Sequence, residues 1–189
     1  MTEDQRLVLK IVASLLAYPG SSQYWDRLEE LKPLAMELNP ALGSACAALS
    51  AVDPLALQQI YVSAFDFDGH GSLYMTAHEL GDSRSRGSAL IDLGSLYQQA
   101  GFEVPDDSLA DFLPLLLELF AVAPEVADDV TLGRIAMVAR QIAEKIGPDH
   151  PYRPLFDIIP DAVSHPIEVV VPTVEENPDL TDLPFPVEY

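Results

Sequence analysis

Apolar residues return at helical spacing along most of this chain, and that periodicity limits the possible folds more than any other feature of the sequence. Near the start, one helical face carries Leu7, Val8, Ile11, Leu15 and Leu16. Similar apolar faces recur as far as residue 146, and no series of alternating residues predicts a sheet. The sequence therefore predicts an all-α fold, a single helical bundle of about eight helices.

Proline, glycine and short polar residues divide this region into separate helices. Asn39 and Asp53, each followed by proline, are typical N-caps, and Ser22 is a further candidate. Pro33 is expected to kink or divide a helix, and Pro114 predicts either a kink or a late start for another. The predicted helices cover residues 7–16, 22–34, 40–51, 54–65, 72–80, 83–100, 109–122 and 132–146, with one short turn over 154–163.

The composition changes from Ser164 onward. Residues 164–189 contain five prolines and six acidic residues but neither lysine nor arginine. Such a segment cannot bury enough apolar surface to fold alone. We therefore predict one all-helical domain over residues 1–163 and an extended, Pro-rich acidic tail over residues 164–189. The apolar stretches Val169–Val171 and Leu183–Phe185 favour docking of this tail on the domain or on a second copy, and a freely hanging tail is the alternative.

The charge balance and the single cysteine exclude several classes of protein. Against 30 acidic residues stand 10 lysines and arginines, a net charge of −20. This charge repels phosphate backbones, so we expect no nucleic-acid partner; it favours a basic partner, or it serves solubility alone. One cysteine, Cys46, excludes an intramolecular disulfide and a cysteine-based zinc site. Its alanine-rich surroundings predict a small buried apolar residue.

No segment of the sequence predicts insertion into a membrane. The best apolar run, Leu113–Leu117, contains a proline and ends at Glu118, far short of the roughly 20 residues that a spanning helix needs. The first residues, Met1–Gln5, are acidic where a signal peptide carries positive charge. We therefore expect a cytoplasmic protein.

One loop begins like a calcium-binding loop but does not complete the pattern. Asp66, Asp68 and His70 occupy the first three ligand positions. The third should be Asp or Asn, and Ala77 stands where the bidentate glutamate is required. These departures argue against a calcium site.

A second segment resembles the helix of zinc proteases with one ligand replaced. His78 and Glu79 are followed by Asp82 where the second histidine belongs, and Gly81 is expected to end the helix before that position. Phosphate loops and nucleophile elbows are also missing from the sequence. The residues predict a non-enzymatic binding protein without metal or cofactor, and a small metal-dependent enzyme that uses these side chains and His70 is the alternative.

The segment 61–87 combines aromatic and acidic residues around a glycine-containing loop. This mixture is typical of a groove for an amphipathic helix with Lys or Arg on its polar face. Alternatively, the apolar residues form core and the acids are only solvated. The apolar residues are Tyr61, Phe65, Phe67, Leu73, Tyr74 and Met75, and the acids are Asp66, Asp68, Glu79 and Asp82.

The same segment carries a long sequence signature. It reads YVSAFD at 61–66, SLYMTAHE at 72–79 and GDSRSRGSAL at 81–90, and it continues through residues 97–101 and 109–118. This pattern resembles that of the nitrate reductase molybdenum-cofactor assembly chaperones of the NarJ type, which belong to the redox-enzyme maturation chaperones. One departure is Ala110, because the family usually has proline before the aspartate that stands here as Asp111.

The resemblance implies an all-helical chaperone domain without catalytic turnover. It implies binding of the N-terminal leader of a molybdenum oxidoreductase catalytic subunit, with nitrate reductase as the default client. The leader becomes helical on binding, and the apoenzyme stays competent for insertion of the molybdenum cofactor before membrane attachment. Cofactor-delivery proteins are further implied partners. A permanent structural subunit of the reductase complex is the alternative.

We predict a client-peptide site in which an apolar groove is surrounded by acidic residues, with one histidine and two arginines beside it. The groove residues are Tyr61, Phe65, Leu73, Tyr74, Phe112 and Leu116, the rim acids are Asp66, Glu79, Asp82 and Asp111, and the remaining members are His78, Arg84 and Arg86.

The two arginines break a local rule, because positive charge at the start of a helix opposes the helix macrodipole. One explanation is that Arg84 and Arg86 pair with acids such as Asp82 or Glu79. The other is that they contact an anionic part of the client or its cofactor.

Truncation after Val163 tests the predicted docking of the tail. A tail that covers part of the groove lowers the fraction of molecules able to bind, so its removal should raise the apparent affinity for a leader peptide in binding calorimetry. Unchanged affinity together with unchanged thermal stability would show that the tail is only an appendage.

Overall fold

Helices supply the regular structure of this protein. The computed structural model describes residues 1–66, 71–81, 83–106 and 108–164. Within them lie nine α-helices, one 3₁₀ turn and a single isolated β-bridge, which confirms the all-α prediction. The elements are α1 (Glu3–Leu15), α2 (Ser22–Leu38), α3 (Pro40–Ser50), α4 (Pro54–Phe65), α5 (Met75–Leu80), α6 (Ser85–Gln99), α7 (Leu113–Val122), the 3₁₀ turn (Pro124–Val126), α8 (Asp129–Ile146) and α9 (Arg153–Val163).

Some predicted features lie outside the described residues. They are the tail from His165 onward, most of the loop that resembles a calcium site, and the acidic residue before α6. The site and loop residues concerned are Phe67, Asp68, His70 and Asp82.

Side-chain caps start several helices at the predicted places. Asn39 accepts hydrogen bonds from the first backbone amides of α3, and Asp53 does the same for α4, each with proline in the first turn. Thr2 and Gln5 form a reciprocal capping box on α1. At α2 the cap is Ser21, one residue before the predicted position.

The structure decides three questions about prolines and helix length that the sequence left open or answered differently. They concern α2, α7 and α9. The helix α2 runs through Pro33 without division, because this proline is exposed and solvent can satisfy the carbonyl that loses its donor. Pro114 lies in the first turn of α7, which is the late start that we considered. The predicted short turn is α9, a helix of 11 residues, because the side chains of Tyr152, Phe156 and Ile159 are fully buried.

The most apolar helix, α7, contributes seven buried residues to the core. It packs against α1, while α8 packs against α9 and α2 against α3. Leu113, Leu116, Leu117 and Phe120 of α7 are fully buried, and burial of each such side chain contributes about 1.5–3 kcal/mol. Cys46 is buried as predicted. The short helix α5 packs on α6 and α8.

Among the described helices, none is both long enough and apolar enough to cross a membrane by itself. The helices α3 and α4 reach that length and composition only as a pair, and they are bent by 113° at their junction.

The close approach of α2 and α3 depends on Gly43. A β-carbon at this position would lie 2.7 Å from the Cα of Met36 and 2.9 Å from its Cβ. Gly43→Ala should therefore lower the free energy of unfolding by about 1–3 kcal/mol, measured by chemical denaturation. The matched control is Gly94→Ala in α6, where no atom lies within 4 Å and helix propensity should raise stability by roughly 0.5–1 kcal/mol. Equal effects of the two substitutions would contradict this account of the packing.

Candidate functional site

The two main blocks of the signature meet at a short backbone bridge. The loop before α5 runs antiparallel to the loop before α7. The amide of Met75 donates to the carbonyl oxygen of Asp111 at 2.9 Å, and the amide of Leu113 donates to that of Leu73 at 2.7 Å. These bonds occupy the residues just before α5, which explains why that helix begins at Met75 rather than at Ser72.

An aromatic pair covers this bridge. The rings of Tyr74 and Phe112 have centroids 5.3 Å apart and are tilted by 43°. Both side chains are half-buried, so part of each ring faces solvent. A pair of this kind contributes about 0.5–1.5 kcal/mol beyond its buried area. Of the predicted groove residues, these two offer surface to a partner.

The other four predicted groove residues are part of the core. Tyr61, Phe65, Leu73 and Leu116 are between 0% and 6% exposed. The Tyr61 hydroxyl donates to the carbonyl oxygen of Leu16 at 3.0 Å, and burial raises the pKa of that hydroxyl. The prediction that these side chains form an open groove is wrong, because all four are buried. Tyr61 and Phe65 pack edge-to-face against each other, and Phe65 packs in the same way against Tyr152 in the interior.

Asp111 lies inside the protein and not at a rim. Its side chain is 0% exposed, and its Oδ2 atom accepts hydrogen bonds from the backbone amide of Thr76, at 3.1 Å, and from the Thr76 hydroxyl. The Nη2 atom of Arg86 lies 3.8 Å from the same oxygen, and its Nε donates to the Thr76 hydroxyl at 3.0 Å. The predicted rim position is wrong, because this carboxylate is buried between α5 and α6, where it accepts hydrogen bonds from Thr76 and pairs with the Arg86 guanidinium.

The two arginines at the start of α6 have different surroundings. Arg86 pairs with an acid, as one of the two explanations required, and that acid is Asp111, while Glu79 pairs with Arg134; Asp82 lies outside the described residues. Arg84 is exposed at the N-cap of α6, where its side chain makes no capping bond.

Glu79 forms an ion pair with a distant helix. Its two carboxylate oxygens accept from Arg134 of α8, at 2.8 Å from Nε and 2.7 Å from Nη2. This bidentate pair raises the pKa of the Arg134 guanidinium. Glu79 therefore links α5 to α8, and its negative charge is neutralised by Arg134 within the protein.

His78 holds the loop that precedes α5. Its Nε2 atom lies 2.6 Å from the carbonyl oxygen of Ser72, and its Nδ1 lies 3.1 Å from the Nζ of Lys145. An ammonium group can only donate, so Nδ1 accepts and Nε2 carries the proton donated to Ser72. Burial lowers the pKa of His78, and the neighbouring Lys145 charge adds to this effect. Asp66, by contrast, is exposed at the end of α4.

A second apolar groove, about 260 Å³ in volume, lies beside this site between the end of α6 and α7. It was not predicted from the sequence. A signal was present, because Phe112, Leu115 and Val122 have the spacing of one helical face. In the residues that the structure describes, no group of three or more His, Cys, Asp or Glu side chains could hold a metal ion.

The fold is all-helical, and the candidate site presents an aromatic and apolar surface. The family model described as "Nitrate reductase delta subunit" matches residues 29–144. The chain therefore belongs to this family, the NarJ-type nitrate reductase molybdenum cofactor assembly chaperones, and it is not a catalytic enzyme.

Two curated relatives support this assignment, and one solved structure shares the fold. The chain is 32% identical over 158 residues to the nitrate reductase molybdenum cofactor assembly chaperone NarJ of Escherichia coli K12. This alignment covers 80% of this chain and 67% of the relative. It is 29% identical over 150 residues to the probable NarJ of Bacillus subtilis, covering 77% and 81%. The crystal structure of a putative redox enzyme maturation protein from Archaeoglobus fulgidus shares the fold, with a TM-score of 0.65, 24% identity and coverage of 82% and 91%.

The two arginines provide a matched test of the buried network. Arg86→Gln leaves the Asp111 carboxylate buried without its cation, so it should lower the free energy of unfolding by about 2 kcal/mol in urea denaturation. Arg84→Gln removes the same charge from the same end of α6 at an exposed position and should change stability by less than about 0.5 kcal/mol. A stable Arg86→Gln protein would show that the pair does not hold the site together.

Proposed function

We propose that this protein binds the N-terminal leader of a nitrate reductase catalytic subunit and keeps the apoenzyme competent for insertion of the molybdenum cofactor. The relatives named as nitrate reductase cofactor assembly chaperones support the client class. The proposed binding takes place in the cytoplasm, before the enzyme attaches to the membrane.

The observation that carries this proposal is the partly exposed Tyr74–Phe112 pair at the junction of the two signature blocks. Aromatic side chains supply large contact areas and dominate many binding surfaces. The pair rests on the bridge and on the buried bonds between Thr76 and Asp111, so its geometry is fixed before a partner arrives. Preorganisation of this kind lowers the entropic cost of binding.

The charge of the chain favours a basic leader. A net charge of −20 attracts a cationic segment and raises its rate of encounter. The carboxylate of Asp66 is exposed at the end of α4, whereas Glu79 and Asp111 are engaged inside the protein. An amphipathic leader helix would place its apolar side chains on the aromatic pair and its Lys or Arg toward the acidic surface.

Replacement of the aromatic pair tests the proposed surface. The double variant Tyr74→Ala/Phe112→Ala should weaken binding of a synthetic leader peptide by at least about tenfold in calorimetry, because it removes two aromatic anchors. The control is Leu55→Ala on α4, where a side chain that is 63% exposed is removed elsewhere on the surface. Circular dichroism should show an unchanged helix content in both variants. Wild-type affinity of a folded double variant would exclude this surface.

The description of the family model as a subunit keeps a second function under consideration, that of a permanent component of the reductase. Co-purification separates the two functions. A chaperone should accompany the apoenzyme and be absent from the mature, cofactor-loaded enzyme, whereas a structural subunit remains at fixed stoichiometry in both.

A further inference from the structure

The groove between the end of α6 and α7 has a buried floor and exposed apolar walls. Tyr97 and Leu119 form the floor and are less than 5% exposed. Phe102 and Val122 stand on either side and keep 47% and 41% of their surface in contact with solvent. Leu115 is half-buried between them. Apolar side chains that remain exposed around a concave surface are typical of a site of interaction.

Two carboxylates line the same groove. Glu103 and Glu118 are both exposed, and the lining contains no lysine or arginine. Among the residues that the structure describes, neither carboxylate forms a hydrogen bond or ion pair within the protein. The groove therefore combines apolar surface with two carboxylates that form no direct ion pair with a described residue, although Glu118 also borders a neighbouring groove that contains Lys10 and Arg27.

The groove continues the aromatic surface along α7. Phe112, Leu115, Leu119 and Val122 follow one another at intervals of three or four residues, so they share one face of the helix. Ten residues at 1.5 Å per residue separate Phe112 from Val122, a distance of about 15 Å. A bound helix of about ten residues would cover the surface from the Tyr74–Phe112 pair to the far end of the groove.

We propose that the groove binds the second half of the client's leader helix. It takes one large apolar side chain between Phe102 and Val122, and a Lys or Arg within one helical turn pairs with Glu103 and Glu118. This inference rests on the proposed function and adds a recognition rule to it, namely an apolar anchor followed closely by a cation.

The composition of the chain's own tail argues against the tail as the occupant. Residues 165–189 contain no lysine or arginine, so their carboxylates would be repelled by the two glutamates. A basic segment of a client is attracted by the same two charges. Charge complementarity therefore selects the leader over the tail for this groove.

A charge-matched pair of variants tests the groove in the full-length chain. Glu103→Gln/Glu118→Gln should weaken binding of the synthetic leader peptide about tenfold at low salt and flatten its salt dependence. The control, Asp4→Asn/Asp161→Asn, removes the same charge from a separate groove of about 420 Å³ between α1, α3 and α9. It should bind like the wild type, because only the distant field changes.

A double-mutant cycle identifies the partner charge. Replacing Lys and Arg of the leader peptide by Gln should lower the affinity of the peptide for the wild-type protein. The same replacement should leave the affinity for the Glu103→Gln/Glu118→Gln protein unchanged, because that protein lacks the carboxylates with which these cations pair. Purely additive losses would overturn the proposed pairing. Phe102→Ala, at an exposed position, should separately weaken binding about fivefold.

The outcomes distinguish this inference from the proposed function. If the wild-type protein does not bind the leader peptide, the proposed function fails. If the Tyr74→Ala/Phe112→Ala protein loses binding while the Glu103→Gln/Glu118→Gln and Phe102→Ala proteins bind like the wild type, the proposed function stands and this inference is overturned.

Discussion

The buried carboxylate of Asp111 is the interaction on which the candidate site depends. A charge removed from water costs several kcal/mol unless donors and an opposite charge compensate for it. Here Thr76 supplies two donors to Oδ2 and Arg86 supplies the cation, while the buried Oδ1 has no hydrogen-bond partner among the described residues. The helix α5, with six residues, is too short to be stable alone. The network of Asp111, Thr76 and Arg86 attaches α5 to α6 and to the loop before α7. It therefore fixes the position of the Tyr74–Phe112 pair.

That surface has two layers with different tasks. The inner layer, represented by Tyr61 and Leu73, is core and sets the position of the chain. The outer layer is the Tyr74–Phe112 pair, which shares the backbone bridge with the inner one but faces solvent. Because Leu73 and Tyr74 are neighbours in an extended segment, their side chains point to opposite sides. A single signature thus encodes both a support and a contact surface.

The sequence allowed prediction where the cause is local. Asn39 and Asp53 cap the helices that follow them because a cap needs only its own side chain and the next amides. The length of α9 could not be predicted in this way, because Pro160 in its interior argues locally against a helix while burial of Phe156 outweighs this effect. The positions of Asp111 and Glu79 depend on Arg86 and Arg134, which lie 25 and 55 residues away, and no local pattern indicates such partners.

The excess negative charge and the local carboxylates act on a basic leader at different stages. The electrostatic field of the whole chain is screened within about 8–10 Å in a physiological salt solution. This field steers the approach of the leader, and added salt weakens the steering. After contact, affinity depends on desolvated apolar anchors and on nearby unpaired acids. Two acids in the signature, Glu79 and Asp111, are engaged in holding helices together. Glu118 of α7 and Glu103 beside it are instead exposed, which ties the proposed recognition to a helix whose other side chains are largely buried in the core.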